Sequence, residues 1–288
     1  MTYALHHEGH EGLEGRKVNF RIFSCPSRAP WTSWLLSVTR MLILALDTTT
    51  SAGSCALMRD GRLVREEASD ASQPQASRLP GELAALLERE AVALRQVDVL
   101  AVGVGPGSFT GLRVGIAAMQ GLALALGRPL IGVSALDALA RIAFGRSGAS
   151  RGPDPPHVRS AGAAERTRHE GMPIATWIDA WRGEVYVALY EDGREVEPPT
   201  VDRPERVLPR LAGKPMLFTG EGAAVSQAVI RAALGPDAYF TDPVAPLLAG
   251  AMAALAADEV RAGRRPPPHA IRPLYVRRSD AELARDRP

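Results

Sequence analysis

The chain has 288 residues, of which 46% are hydrophobic, and a formal net charge of +2 at pH 7. This length allows one large domain or two smaller ones, and the near-neutral charge excludes nucleic-acid binding by overall charge alone, while local basic patches stay open. Cys25 and Cys55 form neither a disulfide framework nor a zinc-ligand spacing, and no signal peptide or apolar run of membrane-spanning length is evident. We therefore expect a reduced, cytoplasmic protein without membrane contact.

Residues 1–40 show no helical or strand periodicity, so we interpret them as a disordered leader or a mis-called start ahead of Met41. His6 and His10 have the i, i+4 spacing of a helical metal site, but glycines flank and separate them, and we expect no metal there. The rest of the chain is predicted to comprise a first lobe over 41–144, a flexible insertion over 145–171, and a second lobe over 172–288 with a C-terminal helix and tail.

Apolar runs separated by turn residues predict three strands, a helix, a strand, a helix, a strand and a helix in the first lobe. In chain order these elements are expected at 41–47, 53–58, 63–67, 79–94, 99–104, 112–126, 130–133 and 136–144. Asp60 and Gly61 form a predicted hairpin turn, and the polar stretch 69–77 a predicted loop.

A glycine turn joins the strand over 99–104 to the helix that follows it. Gly105, Pro106 and Gly107 break the strand, and Ser108 or Thr110 can cap the helix. Backbone N–H groups at such a helix start are unpaired and lie at the positive end of the helix dipole, so the turn is a candidate anion site. The same glycines fit a tight packing turn equally well, and the sequence leaves both interpretations open.

An acid ends the first strand at Asp47, and hydroxyl residues follow at 48–51. This turn could place hydroxyl and N–H groups near a phosphate, with the carboxylate near a hydrated Mg²⁺. A β-turn whose hydroxyls bond to their own backbone is slightly favoured, because threonine is bulkier than the glycine of most phosphate loops. The residues that would face a nucleotide or phosphate are Asp47, Thr48, Thr49, Ser51, Gly105, Gly107 and Ser108.

The second half of the chain repeats the order of elements seen in the first. Strands are predicted at 174–179, 183–190, 196–201 and 216–219, helices at 204–211, 221–234 and 246–263, and an extended segment at 271–278. Asp47 and Asp179 each end a strand 13 residues before an Asp-Gly-Arg turn, so both pairs of positions are offset by 132. We interpret this as an internal duplication that forms a two-lobed cleft with an acid from each half.

Histidine-based chemistry is not expected in the folded part of the chain. After Met41 the only histidines are His157, His169 and His269, and none lies in a predicted element. No nucleophile elbow or His-Glu-x-x-His motif is present, so we expect no catalytic residue and no metal ligand. The aromatic residues Trp177, Trp181 and Tyr186 are predicted to pack, although Trp181 could line the cleft.

Five segments together resemble the TsaB (YeaZ) family, namely 43–57, 104–126, 131–140, 179–190 and 273–278. The run GPGSFTGLR at 105–113 is the most specific of them. The resemblance implies an α/β fold of two duplicated RNase-H-like lobes, of the actin-like, sugar-kinase and Hsp70 superfamily, with mixed sheets flanked by helices. It also implies a non-catalytic scaffold or activator role in forming N6-threonylcarbamoyladenosine in tRNA.

The partners that the resemblance implies are the catalytic paralogue TsaD and the ATPase TsaE. In that arrangement this subunit needs no cofactor of its own, ATP and Mg²⁺ enter through TsaE, the metal lies in TsaD, and tRNA is reached only through the complex. A homodimer, when the protein is alone, and a nucleotide at the cleft or the subunit interface are left open. The alternatives are a nucleotide-dependent phosphotransferase of the sugar-kinase type and, least favoured, a glycoprotease-like peptidase.

Residues 72–77 lack the histidine pair that holds the metal in the paralogue, which removes the chemical basis for a peptidase. Trp181, where relatives tend to have arginine, and a long insertion depart from the family pattern. The helix over 112–126 has many small residues, which suits close approach of its own sheet or of another subunit. The family interface, carried over to the two first-lobe helices, comprises Leu79, Leu83, Leu86, Leu87, Val114, Gly115, Ala118 and Leu122.

Overall fold

The computed structural model describes residues 41–70, 72, 74–145, 169 and 171–277. The predicted leader over 1–40, nearly all of the predicted insertion over 145–171, and residues 278–288 lie outside the described residues. Within the described part, the chain forms two five-stranded sheets and seven α-helices.

The helices and strands follow the predicted order. The first half comprises β1 Leu42–Asp47, β2 Ser54–Arg59, β3 Arg62–Ala68, α1 Gln75–Arg89, β4 Val99–Gly105, α2 Phe109–Leu126, β5 Leu130–Ser134 and α3 Ala135–Phe144. The second half comprises β6 Ile174–Asp179, β7 Val185–Glu191, β8 Arg194–Asp202, α4 Pro204–Leu211, β9 Met216–Thr219, α5 Glu221–Val225, α6 Gln227–Leu234, β10 Ala238–Phe240 and α7 Ala249–Arg261.

Several predicted boundaries are corrected. Helix α1 begins four residues before the predicted start at 79, inside the predicted loop, and it ends at Arg89 because Ala91 adopts a left-handed φ of 50°. The helix predicted over 221–234 is broken at Ser226 into α5 and α6. Strand β10 was not predicted, since three residues are too few to show a period of two.

The two sheets have the same strand order, β3-β2-β1-β4-β5 and β8-β7-β6-β9-β10. In each, the first three strands pair antiparallel and the last two join in parallel. The equivalent hairpins turn at Asp60-Gly61 and Asp192-Gly193, where φ is 55°, 78°, 49° and 72°, as a two-residue turn of this kind requires. The predicted duplication into two RNase-H-like lobes is thus confirmed.

The alternation of side chains along β1 places apolar residues on both faces of the first sheet. Leu42, Leu44 and Leu46 pack against α1 and α2, whereas Ile43 and Ala45 face the layer between the sheets. The second sheet has its own outer layer of α4 and α6, around an edge-to-face pair of Trp177 and Phe218 with ring centroids 5.6 Å apart.

Helices α3 and α7 fill the layer between the two sheets and tie the halves together. Helix α7, from the second half, packs on β1 and β2 of the first sheet, and α3, from the first half, packs on β6 of the second. Small residues on both sides, such as Ala45 and Ala56 on the strands and Ala253 and Ala256 on α7, allow close approach. The end of β1 therefore lies beside elements from both lobes.

Helix α2 is, by length and composition, the one described helix that could cross a membrane, which corrects our expectation of no such segment. In the protein it packs on the first sheet through Leu112, Ile116, Met119 and Ala123, all buried. A core helix passes the same test, so this is weak evidence of membrane contact.

Candidate functional site

Asp47 holds the turn that follows β1. Its carboxylate is almost fully buried, with 1% exposure. Oδ1 accepts hydrogen bonds from the Thr49 N–H at 2.7 Å and the Thr49 Oγ1 at 2.6 Å, and Oδ2 accepts from the Thr50 Oγ1 at 2.8 Å. Burial raises the pKa of Asp47, and these hydrogen bonds act against that rise. The carboxylate thus organises its own turn.

We call the turn formed by Thr48, Thr49 and Thr50 the threonine turn. The glycine turn at 105–107 packs directly on it. The Ser108 N–H donates to the Thr49 carbonyl at 2.8 Å, and the Thr48 Oγ1 donates to the Gly111 carbonyl at 2.8 Å. A Cβ on Gly107 would lie 2.2 Å from the Thr49 carbonyl oxygen. Ser108 is the helix cap, and its Oγ accepts from the Gly111 N–H at 3.2 Å.

Five of the seven predicted phosphate-facing residues therefore come together, with many of their polar groups bonded to one another: Asp47, Thr48, Thr49, Gly107 and Ser108. The structure supplies the packing reason for the glycines: they let α2 and its turn approach the threonine turn. Whether Asp47, Thr48, Thr49, Gly105, Gly107 or Ser108 also faces a nucleotide stays a prediction. The sequence alone could not distinguish a packing turn from a phosphate-facing turn, because the partners of the threonine turn lie about 60 residues away in the chain.

Ser51 reaches across to the second lobe. Its N–H and Oγ donate to Glu221 Oε2 at 3.1 and 2.7 Å, and Glu221 begins α5. Burial raises the pKa of Glu221, and the nearby charges of Asp179 and Asp47 raise it further. Both strand-ending acids thus act on the same half-buried carboxyl group, and a cleft between the lobes stays a prediction.

Sequence reasoning missed Glu221. The signal was present: a strand, a glycine and an acid open a helix at 216–221, much as β4 leads into α2.

Trp181 lies at the rim of the turn after β6. Its side chain is 45% exposed, and its backbone N–H donates to Asp179 Oδ1 at 2.9 Å. Trp181 and Arg182 both adopt left-handed φ, 56° and 59°, which costs non-glycine residues conformational energy. Trp177 and Tyr186 are buried, which agrees with their predicted packing role.

Five of the predicted interface residues face the chain's own interior, so their side chains serve the core, and a partner contact at these two helices stays a prediction. Four are the buried leucines of α1, which pack against the sheet: Leu79, Leu83, Leu86 and Leu87. Gly115 packs on Thr48, whose Oγ1 would lie 2.2 Å from an added Cβ. The helix period showed which residues are buried, but not what buries them.

The outer side of α2 is left for other contacts. Val114, Ala118 and Leu122 are half-buried. Phe109 is exposed at the start of the helix, and the exposed positions after it are Thr110, Arg113, Ala117, Gly121, Leu124 and Ala125. An added Cβ on Gly121 would meet nothing within 4 Å. We call the uncharged exposed positions among them the outer stripe of α2: Thr110, Ala117, Gly121, Leu124 and Ala125.

No group of three or more His, Cys, Asp or Glu side chains placed to hold a metal occurs among the described residues. His157 lies outside them.

Buried carboxylates make the stability of the fold pH-dependent. Burial raises the pKa of Asp47, Glu66 and Glu221; Glu66 accepts from the Gly250 N–H at 2.7 Å, at the start of α7. A raised pKa means that the folded state binds more protons, so the stabilisation is complete below the ordinary carboxyl pKa and is lost as pH rises through the raised values.

We expect the free energy of unfolding to fall as pH rises from the ordinary carboxyl pKa of about 4 towards neutrality. Urea denaturation at several pH values measures this. Glu66→Gln, which keeps an acceptor for Gly250, should show a smaller decrease. A free energy that is flat or rises with pH over this range contradicts the assignment.

Two sheets of identical strand order, each with an acid at the end of its first strand and with helices exchanged between them, define a duplicated RNase-H-like α/β fold. A profile of the family described as "TsaD: tRNA N6-adenosine threonylcarbamoyltransferase" matches residues 67–164. The chain belongs to the TsaB family. It is 30% identical over 210 residues to the tRNA threonylcarbamoyladenosine biosynthesis protein TsaB of Haemophilus influenzae, covering 68% of this chain and 79% of that protein.

Two further comparisons agree. The chain is 35% identical over 178 residues to the protein of the same name from Escherichia coli, covering 59% of this chain and 66% of that protein, just under two thirds of its length. A solved structure of an uncharacterized protein with similarity to peptidase YEAZ from Pseudomonas aeruginosa superimposes with a TM-score of 0.62 at 30% identity, over 82% of this chain and 100% of that one.

Proposed function

We propose that this chain is a cytoplasmic, non-catalytic subunit of the machinery that forms N6-threonylcarbamoyladenosine in tRNA, and that it binds the transferase TsaD and, with it, TsaE. The names of the two TsaB relatives support a role in threonylcarbamoyladenosine biosynthesis. The match of the transferase profile to residues 67–164 supports kinship with the catalytic paralogue. The observation that supports the non-catalytic role is the hydrogen bonding of the threonine turn. Both oxygens of Asp47 already accept hydrogen bonds from Thr49 and Thr50, and the Ser108 amide already donates to Thr49, so these groups hold the turn together.

The outer stripe of α2 supports a protein partner. It presents small or apolar side chains on a regular helix, so a second helix can approach closely along it. Its neighbours on α1 are already used by the core. We propose that TsaD packs on this stripe, that ATP and Mg²⁺ act through TsaE, and that the metal is held in TsaD, so that this subunit needs no cofactor of its own.

Ala117→Arg should weaken association with TsaD by at least about tenfold, because a charged side chain would be buried without a partner in the contact. Ala117 is exposed, so the isolated variant should fold normally. Ala233→Arg, the same change at an exposed position on α6, is the matched control. Calorimetric titration of each purified variant with TsaD measures the effect.

In cells depleted of this protein, threonylcarbamoyladenosine in tRNA should fall, and the wild type and Ala233→Arg should restore it while Ala117→Arg should not. Unchanged modification after depletion would refute the proposed process. Normal association of Ala117→Arg would refute the proposed surface alone.

A further inference from the structure

The C-terminal segment of the described chain lies along one flank of α2, beside the outer stripe. The Gln120 side-chain amide donates to the carbonyls of Pro268 and Ile271 at 2.8 and 3.1 Å. Farther along, the Leu274 N–H donates to the Val104 carbonyl at 2.7 Å, where β4 ends. Residues distant in sequence therefore form one continuous surface.

The two segments that form this surface contain no acidic residue. The chain has 32 of them, yet neither 99–136 nor 260–279 contains one. Arg113 and Arg272 are exposed there, and within the part of the chain that the structure describes neither makes an ion pair. Carboxylates lie at the two ends of the C-terminal segment, where Glu259 pairs with Arg264 and Glu184 with Arg277. Between these ends, guanidinium groups that form no ion pair create a local positive potential, although the whole chain is nearly neutral.

Two exposed aromatic rings lie within the same surface. Phe109 is 45% and Tyr275 49% exposed, and their ring centroids are 5.6 Å apart. Arg113 links them: its guanidinium carbon lies 3.7 Å from the Phe109 centroid, and its Nε–H donates to the Tyr275 hydroxyl at 3.1 Å. The rings are therefore held in place while still open to solvent, which lowers the entropy lost when a planar group stacks on them.

We propose that this surface, the basic strip formed by Phe109, Arg113, Arg272 and Tyr275, binds unpaired RNA nucleotides. Phosphates would lie on the arginines and a base would stack on the aromatic pair. An acidic peptide would satisfy the arginines but leave both rings exposed, whereas a nucleotide supplies the anion and the planar apolar face together. This goes beyond the proposed function, and it replaces the expectation that RNA is reached only through the complex.

The test is binding of a fluorescein-labelled oligouridine of about 12 nucleotides to the full chain alone, followed by anisotropy at low and moderate salt. Binding should weaken as salt increases. Arg272→Glu and Tyr275→Ala should each lower affinity by about tenfold. The control Arg206→Glu changes an exposed arginine on α4, in the second lobe, and should stay within about twofold of wild type.

Arg272 and Tyr275 are both exposed, and thermal unfolding of each variant checks that the fold persists. Absence of binding at low salt overturns the proposal, as does an equal loss in the Arg206→Glu control. Full binding by Tyr275→Ala, equal binding of an RNA duplex, or displacement of the RNA only by an acidic peptide also overturns it. Ala117→Arg adds a positive charge one helical turn from Arg113 and should bind RNA at least as tightly as the wild type, so failure of the partner surface and failure of this strip are distinguishable.

Discussion

Gly111→Ala should lower the free energy of unfolding by about 2–3 kcal/mol, whereas Gly121→Ala on the same helix should raise it by about 0.5–1 kcal/mol. A Cβ on Gly111 would lie 2.1 Å from the Thr48 carbonyl oxygen, so backbone must move to admit it. A Cβ on Gly121 would meet nothing within 4 Å, so only the gain in helix propensity remains. Urea denaturation followed by far-ultraviolet circular dichroism measures both changes.

A third glycine on the helix allows the packing to be tested by compensation. A Cβ on Gly115 would lie 2.2 Å from the Thr48 Oγ1, a side-chain atom rather than backbone. Thr48→Ala removes this atom and should rescue much of the loss in Gly115→Ala, but none of the loss in Gly111→Ala. Equal stability of Gly111→Ala and Gly121→Ala, or equal rescue of both clashes, would contradict the observed packing of α2 on the threonine turn.

Much of the fold could be predicted because its signals are local. The alternation of apolar residues marks β1, and Asp-Gly pairs mark both equivalent hairpin turns, where the structure shows positive φ. The duplication also was visible, since two acids and two turns share one offset. Local signals failed where elements are short or interrupted. Strand β10 has only three residues, and no glycine or proline stands at Ser226, where the predicted helix breaks into α5 and α6.

The candidate site was less accessible from sequence, because its meaning depends on pairs that are distant in the chain. Ser51 and Glu221 are 170 residues apart, and Gln120 bonds to carbonyls about 150 residues away. Composition indicated that Gly115 needs a close neighbour, but not that the neighbour is Thr48 rather than a partner. The absence of acidic residues from 99–136 and 260–279 is visible in the sequence. Only the structure shows that the two segments are in contact and form one surface.

Asp47→Ala should cost about 3 kcal/mol of unfolding free energy, whereas Asp47→Asn should stay within about 1 kcal/mol of wild type at pH 7. Alanine leaves the Thr49 N–H and the two threonine hydroxyls without their acceptor in a buried turn. Asparagine keeps an acceptor oxygen for Thr49, and its amide can donate to the Thr50 hydroxyl in place of accepting from it. It also removes a buried charge, so the stability of Asp47→Asn should depend less on pH than that of the wild type.

The same pair of variants separates the scaffold from the phosphotransferase alternative. If Asp47 only holds its turn, Asp47→Asn should restore threonylcarbamoyladenosine in depleted cells as the wild type does, since the surface it supports is intact. If Asp47 instead holds a nucleotide-bound Mg²⁺, replacing the carboxylate should abolish activity without loss of stability, because a neutral amide is a poor ligand for that ion. Calorimetric titration of the wild-type chain alone with ATP and Mg²⁺ provides the independent readout: tight binding with turnover would place the chemistry in this subunit and overturn the scaffold.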